Sequence, residues 1–190
     1  MASITSPPSR RAAALALFVF VAAFVPQDGG KQAAPAAPHT VILVRHAEKA
    51  SDGEDPDLSD GGKQRAEALA RLLAHAGVRR LVATPYARTR ATLEPLARVT
   101  GVAIDVAPAD RPAQLAAELR AAEPGSVTVV AGHSNTLPSL ARALGVQLRD
   151  LDARGWLRDD AFDRVFVVTL PPRDAALSPA LLELRYGAGG

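Results

Sequence analysis

Between Thr40 and Gly145 the sequence alternates short apolar runs with stretches of helical spacing, and this alternation restricts the fold more than any other feature. Val41-Ile42-Leu43-Val44, Leu81-Val82-Ala83, Ala103 to Val106 and Val127 to Ala131 are brief and mostly rich in β-branched residues, as buried strands are. Between them, Ala66, Leu69, Ala70 and Leu73 recur at helical spacing behind Ser59, a residue type that caps helices, and Gly77 stops the pattern. Thr89, Leu93, Leu96 and Ala97 form a second helical stripe that ends near Gly101, with Pro95 expected to kink or interrupt it. Gln114 to Ala122 and Leu137 to Leu144 read as a third and a fourth helix.

Strands that alternate with helices build a mostly parallel sheet covered on both faces. The expectation is a three-layer α/β/α sandwich. Asp163 to Leu170 and Leu181 to Tyr186, joined by Pro171 to Pro179, add an antiparallel hairpin at the sheet edge. Asp150 to Phe162, with Trp156 as a packing residue, reads as a loop with a short helix near the ligand-binding end of the sheet.

In such sheets ligands sit beyond the carboxyl ends of the strands. Three successive strand ends carry unusual polar residues: Arg45 with His46, Arg88, and His133 after Gly132. Arg88 falls in the first turn of a helix, where the free N–H groups already attract anions and a cation is out of place unless an anion holds it. Two arginines and two histidines at one end of a sheet suit a dianion, because guanidinium forks pair bidentately with phosphate oxygens. Each residue alone has an ordinary reading, a solvated Arg or a His bonded to a nearby carbonyl. Their joint occurrence at successive strand ends does not.

Composition excludes several chemistries. The 190 residues allow one ordinary domain, and 48% hydrophobic content with only 4% aromatics describes an aliphatic core. With no Cys there is no disulfide, thiolate metal site or cysteine nucleophile. The basic residues Arg10, Arg11 and Lys31 and the acidic Asp28 precede residue 37, which leaves 19 of the 22 basic and 19 of the 20 acidic residues beyond it. That balance argues against a nucleic-acid partner. The acidic loop Ser51 to Asp60 does not have calcium-loop spacing and reads as solvated.

Arg10 and Arg11 precede an apolar stretch, Ala12 to Val25, too short to span a bilayer easily. Residues 1–30 are expected to be a signal peptide or N-terminal anchor, 31–39 a linker, and 40–190 the domain. The expected location is periplasmic or secreted, with membrane association only if the leader is uncleaved.

Val44-Arg45-His46-Ala47-Glu48 resembles the Arg-His-Gly-Glu motif of the histidine phosphatase superfamily, in its phosphoglycerate-mutase-like branch, with Ala47 in place of the usual Gly. Leu58-Ser59, Gly62 and Arg65-Ala66 resemble the segment that follows that motif. Thr84-Pro85-Tyr86-Ala87-Arg88 through Thr92 resembles the family's Ser-Pro-Leu-x-Arg-Ala-x-Gln-Thr, and Gly132-His133 its second histidine. The resemblance spans roughly Thr40 to Gly145 and is nearest to small bacterial members, which include phosphohistidine phosphatases.

It implies a phosphatase in which His46 attacks phosphorus to form a phosphohistidine, while Arg45, Arg88 and His133 bind the phosphoryl oxygens. It implies no metal and no cofactor, and a phosphorylated small molecule or phosphoprotein as substrate. Glu48, orienting the first motif, and Asn135 are further phosphate-binding candidates, each with a plain structural alternative. The proton donor is where the resemblance stops. Ser134 stands where the acid-phosphatase branch has an Asp, and Asp110 is the best-placed candidate acid, with a helix cap as its alternative role. A non-catalytic phospholigand-binding module is the competing reading. A phosphoglycerate-mutase-type phosphotransferase is disfavoured by the short chain.

Overall fold

A computed structural model describes residues 36–187. The leader 1–30 and most of the expected linker lie outside the described residues, and β1 begins at His39. The elements are β1 (His39–Arg45), α1 (Asp60–Leu73), β2 (Val78–Ala83), α2 (Ala87–Thr100), β3 (Ile104–Val106), α3 (Pro112–Arg120), β4 (Val127–Gly132), α4 (Thr136–Ala143), β5 (Arg164–Leu170) and β6 (Ala180–Arg185).

One six-stranded sheet has the order β3-β2-β4-β1-β5-β6. β3, β2, β4 and β1 run parallel, and β5 and β6 pair antiparallel as the expected hairpin. The pleat sends alternate residues of β1 to opposite faces. Val41 and Leu43 join a core with Leu119 and Leu140 of α3 and α4, whereas Ile42 and Val44 join one with Leu69 and Leu93 of α1 and α2. That is why β1 reads as an unbroken apolar run. Burial of both faces leaves only its carboxyl end open to chemistry.

The helix ends follow local rules. The Ser59 side chain accepts the Gly62 N–H at 3.0 Å, capping α1. Gly101 closes α2 in the left-handed region at φ 71°. Three expectations need correction. Pro95 does not interrupt α2; it lies buried inside a continuous helix, whose neighbouring Leu93 and Leu96 are fully buried against the sheet. Residues 150–162 contain no helix, because the Asp152 carboxylate accepts the Arg154 and Trp156 N–H groups and holds the chain in turns. The acidic loop is not merely solvated, since Asp55 is bonded to the start of α2.

Candidate active site

The carboxyl ends of β1 and β4 are tied together by the His46 N–H, which donates to the Gly132 carbonyl at 2.9 Å. Thr92, fully buried in α2, accepts the Ala47 N–H at 2.9 Å and donates to the Arg88 carbonyl at 2.7 Å. The residue after the first histidine is thereby fixed to the helix that carries the second arginine. The Ala47 methyl packs with Leu58 and Ala66 in a small separate cluster, so Ala is accommodated where the family motif has Gly. Gly132 is a steric requirement: a Cβ there would lie 2.7 Å from the Leu137 side chain, which the core holds in place.

These ties bring Arg45, His46, Arg88 and His133 into one cleft, together with Lys49, Tyr86, Ala109, Ser134, Asn135 and Thr136. The His46 and His133 rings meet edge to face with centroids 5.3 Å apart. The Tyr86 ring also meets His133 edge to face, with centroids 5.1 Å apart.

His46 Nδ1 lies 2.8 Å from the Ala47 carbonyl. A carbonyl can only accept, so Nδ1 carries the proton and Nε2 keeps its lone pair. Burial pushes this imidazole down to about 4; the Ala47 carbonyl opposes the fall, and the neighbouring His133, Arg45 and Arg88 add to it. At neutral pH the ring is uncharged and its Nε2 lone pair is free.

The proton on His133 is also assigned by its partners. The Thr89 hydroxyl donates toward the Thr84 and Tyr86 carbonyls, which makes it an acceptor for the Thr84 hydroxyl 2.9 Å away. Thr84 Oγ1 then accepts from His133 Nε2, also at 2.9 Å. Nδ1 of His133 is left without a hydrogen bond among the described residues and opens on the cleft. Burial, followed by Arg88 and Arg45, holds His133 down to about 4, with Asp55 opposing.

The two arginines are held alike. Arg45 donates from Nη1 to the Arg158 and Asp159 carbonyls at 2.8 and 3.1 Å, and its guanidinium lies 4.0 Å over the Phe162 ring. Arg88 donates from Nη1 to the Glu54 carbonyl and to Asp55 Oδ1, both at 3.3 Å, and lies 4.2 Å over the Tyr86 ring. In both, Nε is buried without a partner and Nη2 makes no hydrogen bond among the described residues. Nε and Nη2 form one edge of a guanidinium. Two such edges, unpaired and with Nε buried, beside a neutral His46 want acceptor oxygens in fork geometry.

The remaining sequence candidates are placed differently. Glu48 is not in the cleft. Both of its carboxylate oxygens accept from Arg65 Nε at 2.8 and 2.9 Å, so its expected phosphate contact is replaced by an ion pair that ties the strand end to α1. Burial alone would raise this carboxyl, but Arg65 more than compensates and holds it below the usual value. Asn135 is exposed at the cleft mouth, ahead of α4. Asp110 is exposed in the turn after β3, adjoining the cleft residue Ala109, and it does not cap α3, whose N-cap is Arg111. Sequence reading did not single out Thr84, Thr89, Asp55 or Phe162 for a role. The two threonines stand inside the second motif, whereas Asp55 and Phe162 carry no local signal. Among the described residues no group of three or more His, Asp or Glu side chains has metal-binding geometry.

The family model of the histidine phosphatase superfamily (branch 1) matches residues 41–111. Among curated proteins no match is found. A Nakamurella multipartitia structure assigned as the phosphohistidine phosphatase SixA is similar at 24% identity and TM-score 0.55, covering 82% of this chain and 100% of that one. The mycobacterial glucosyl-3-phosphoglycerate phosphatase complexed with VO3 is similar at 19% identity and TM-score 0.58, covering 75% and 96%. A phosphoglycerate mutase from Plasmodium falciparum is similar at 17% identity and TM-score 0.54, covering 78% and 91%. At these identities the likeness is one of fold.

Proposed function

We propose that this chain, whose residues 41–111 belong to the histidine phosphatase superfamily (branch 1), is a metal-independent phosphatase acting through a phosphohistidine on His46. The observation that carries the reading is the pair of unpaired Nε/Nη2 edges on Arg45 and Arg88, set around a histidine whose Nε2 lone pair is free. His46 Nε2 attacks phosphorus, the bond to the leaving group breaks, and water then cleaves the N–P bond, restoring the imidazole and releasing phosphate. The guanidinium edges hold the non-bridging oxygens, and His133 Nδ1 bonds one of them only through a proton carried by the ligand or taken up with it. Fixed donors of this kind typically contribute a rate factor of about 10²–10³ each.

Among the described residues the cleft lining includes no carboxyl group. That favours phosphoramidates, or phosphomonoesters of good leaving groups, over esters that need a strong acid to depart. A protein-borne phosphohistidine or a small phosphorylated molecule meets this requirement. Substrates such as those named for the similar structures are the first to screen. In this proposal residues 1–30 export the enzyme to the periplasm or beyond as a signal peptide, or hold it there as an uncleaved anchor, which N-terminal sequencing of the exported protein would distinguish.

Turnover of p-nitrophenyl phosphate with and without EDTA, combined with acid-quench trapping of ³²P-labelled protein, tests the function. Label on His46 and EDTA-insensitive turnover are expected. Turnover that survives His46→Ala overturns the reading. The same lack of a cleft carboxyl favours one alternative, a non-catalytic phospholigand-binding module, which tight phosphate binding without any label would support.

A further inference from the structure

We propose that Asp55 is a positioning residue of this site, holding Arg88 so that its Nε/Nη2 edge faces the phosphoryl group; the proposal rests on reading the cleft as a phosphoryl site. α2 begins at Ala87 behind Tyr86, with no side-chain cap and no acidic residue in its first turn. A cation in that turn meets the positive end of the helix dipole. Asp55 supplies what the helix lacks from a loop 32 residues earlier. Its two carboxylate oxygens accept the Ala87 N–H at 2.9 and 3.1 Å, and Oδ1 also accepts from Arg88 Nη1 at 3.3 Å.

The carboxylate takes one edge of the guanidinium and leaves the other. Nη1 is shared between Asp55 and the Glu54 carbonyl, and the Tyr86 ring supports the flat face. The buried Nε, with Nη2 beside it, is what remains for a ligand. Arg45 is arranged in the same way, except that two backbone carbonyls do for it what Asp55 and Glu54 do for Arg88. Asp55 is half-exposed on the loop side and does not itself line the cleft.

A rival role has the opposite sign. If Asp55 merely competed with phosphate for Arg88, removing it would strengthen anion binding through charge alone. If it aims Arg88, removing it weakens binding even though a negative charge has gone.

The test measures inorganic phosphate binding by calorimetry and kcat on p-nitrophenyl phosphate for wild type, Asp55→Ala and Asp55→Ser, with thermal stability alongside. Serine can still accept the Ala87 N–H but cannot offer charge to Arg88. The expectation is about tenfold weaker phosphate binding and at least tenfold lower kcat for Asp55→Ala, since small misplacements of a positioned group are costly. Asp55→Ser should regain thermal stability without regaining affinity. Phosphate binding by Asp55→Ala that equals or exceeds wild type overturns the proposal, as does a serine variant that regains both stability and affinity. If Asp55→Ala does not fold, the serine variant alone decides. Wild-type protein that binds phosphate but takes no ³²P label would refute the enzymatic reading and leave the binding test of Asp55 intact.

Discussion

The His46 ring stands edge-on to the His133 ring, 5.3 Å between centroids and 63° between planes, and the two are protonated on different nitrogens. Nδ1–H of His46 points back at its own chain, and Nε2–H of His133 points at Thr84. Each ring therefore keeps one bare nitrogen: that of His46 is free to attack phosphorus, whereas that of His133 can face a phosphoryl oxygen only with a proton between them.

Both imidazoles are held down to about 4 from the ordinary 6.5, chiefly by burial. NMR titration of the ligand-free protein should show these two rings titrating near pH 4. A midpoint near 6.5 for His46 would contradict the environment described. The unfolded chain binds protons at its histidines from about 6.5 downward, whereas the folded protein does so only near 4. Stability is therefore fully present above 6.5 and declines as the pH falls from there toward 4. The kcat/KM profile should keep its free-enzyme acid limb near 4 as well.

Thr84→Val removes the acceptor for His133 Nε2–H and the donor to Thr89 while keeping the shape. Leaving a buried imidazole N–H unpaired costs about 1–3 kcal/mol. Urea unfolding should register that loss, and ¹⁵N spectra should show His133 no longer held as one tautomer. An unchanged tautomer would refute the hydroxyl chain.

Arg45→Lys keeps the charge and loses both the Nη1 anchor to the Arg158 and Asp159 carbonyls and the Nε/Nη2 fork. Activity should fall about 10²–10³-fold, the scale for losing a transition-state donor. A lysine variant within threefold of wild type would mean that charge alone suffices.

Glu48→Ala should destabilise by about 1–3 kcal/mol, the range for breaking a charged hydrogen-bonded pair, with less than tenfold loss of kcat, because Glu48 serves Arg65 rather than phosphate. Gly62→Ala should be costly for a different reason. The added Cβ would overlap the Glu48 carbonyl, which already accepts the Ser59 N–H. About 1–3 kcal/mol of overpacking strain is expected, with the first motif displaced. Melting curves and kinetics of the two variants separate the effects, and a Gly62→Ala protein as stable and active as wild type would refute the close approach.

The layered fold was legible because its signals are local and periodic. β1, β2 and β4 lie centrally in the sheet and carry runs of buried apolar residues, α1 announces itself by Ser59 and its stripe, and each parallel strand end exposes the residues that can reach a ligand. Pro95 misled for the same reason: a local rule predicts a break, and nonlocal burial of Leu93 and Leu96 overrides it. In the loop at 150–162, one Asp side chain outcompeted helix formation.

The sequence by itself determined which side chains could bind phosphate and the order in which strands would present them, since side-chain chemistry and hydrophobic period are properties of short segments. Only the tertiary structure decided which guanidinium edges stay unpaired, which imidazole nitrogens carry protons, and that Glu48 pairs with Arg65 while Asp55 sits beside Arg88. The His46 tautomer is set by the adjacent Ala47 carbonyl, but the anchors of Arg45, the His133 tautomer and the placing of Asp55 depend on hydrogen bonds between residues 32 to 114 positions apart, and such partners exist only once the sheet has closed.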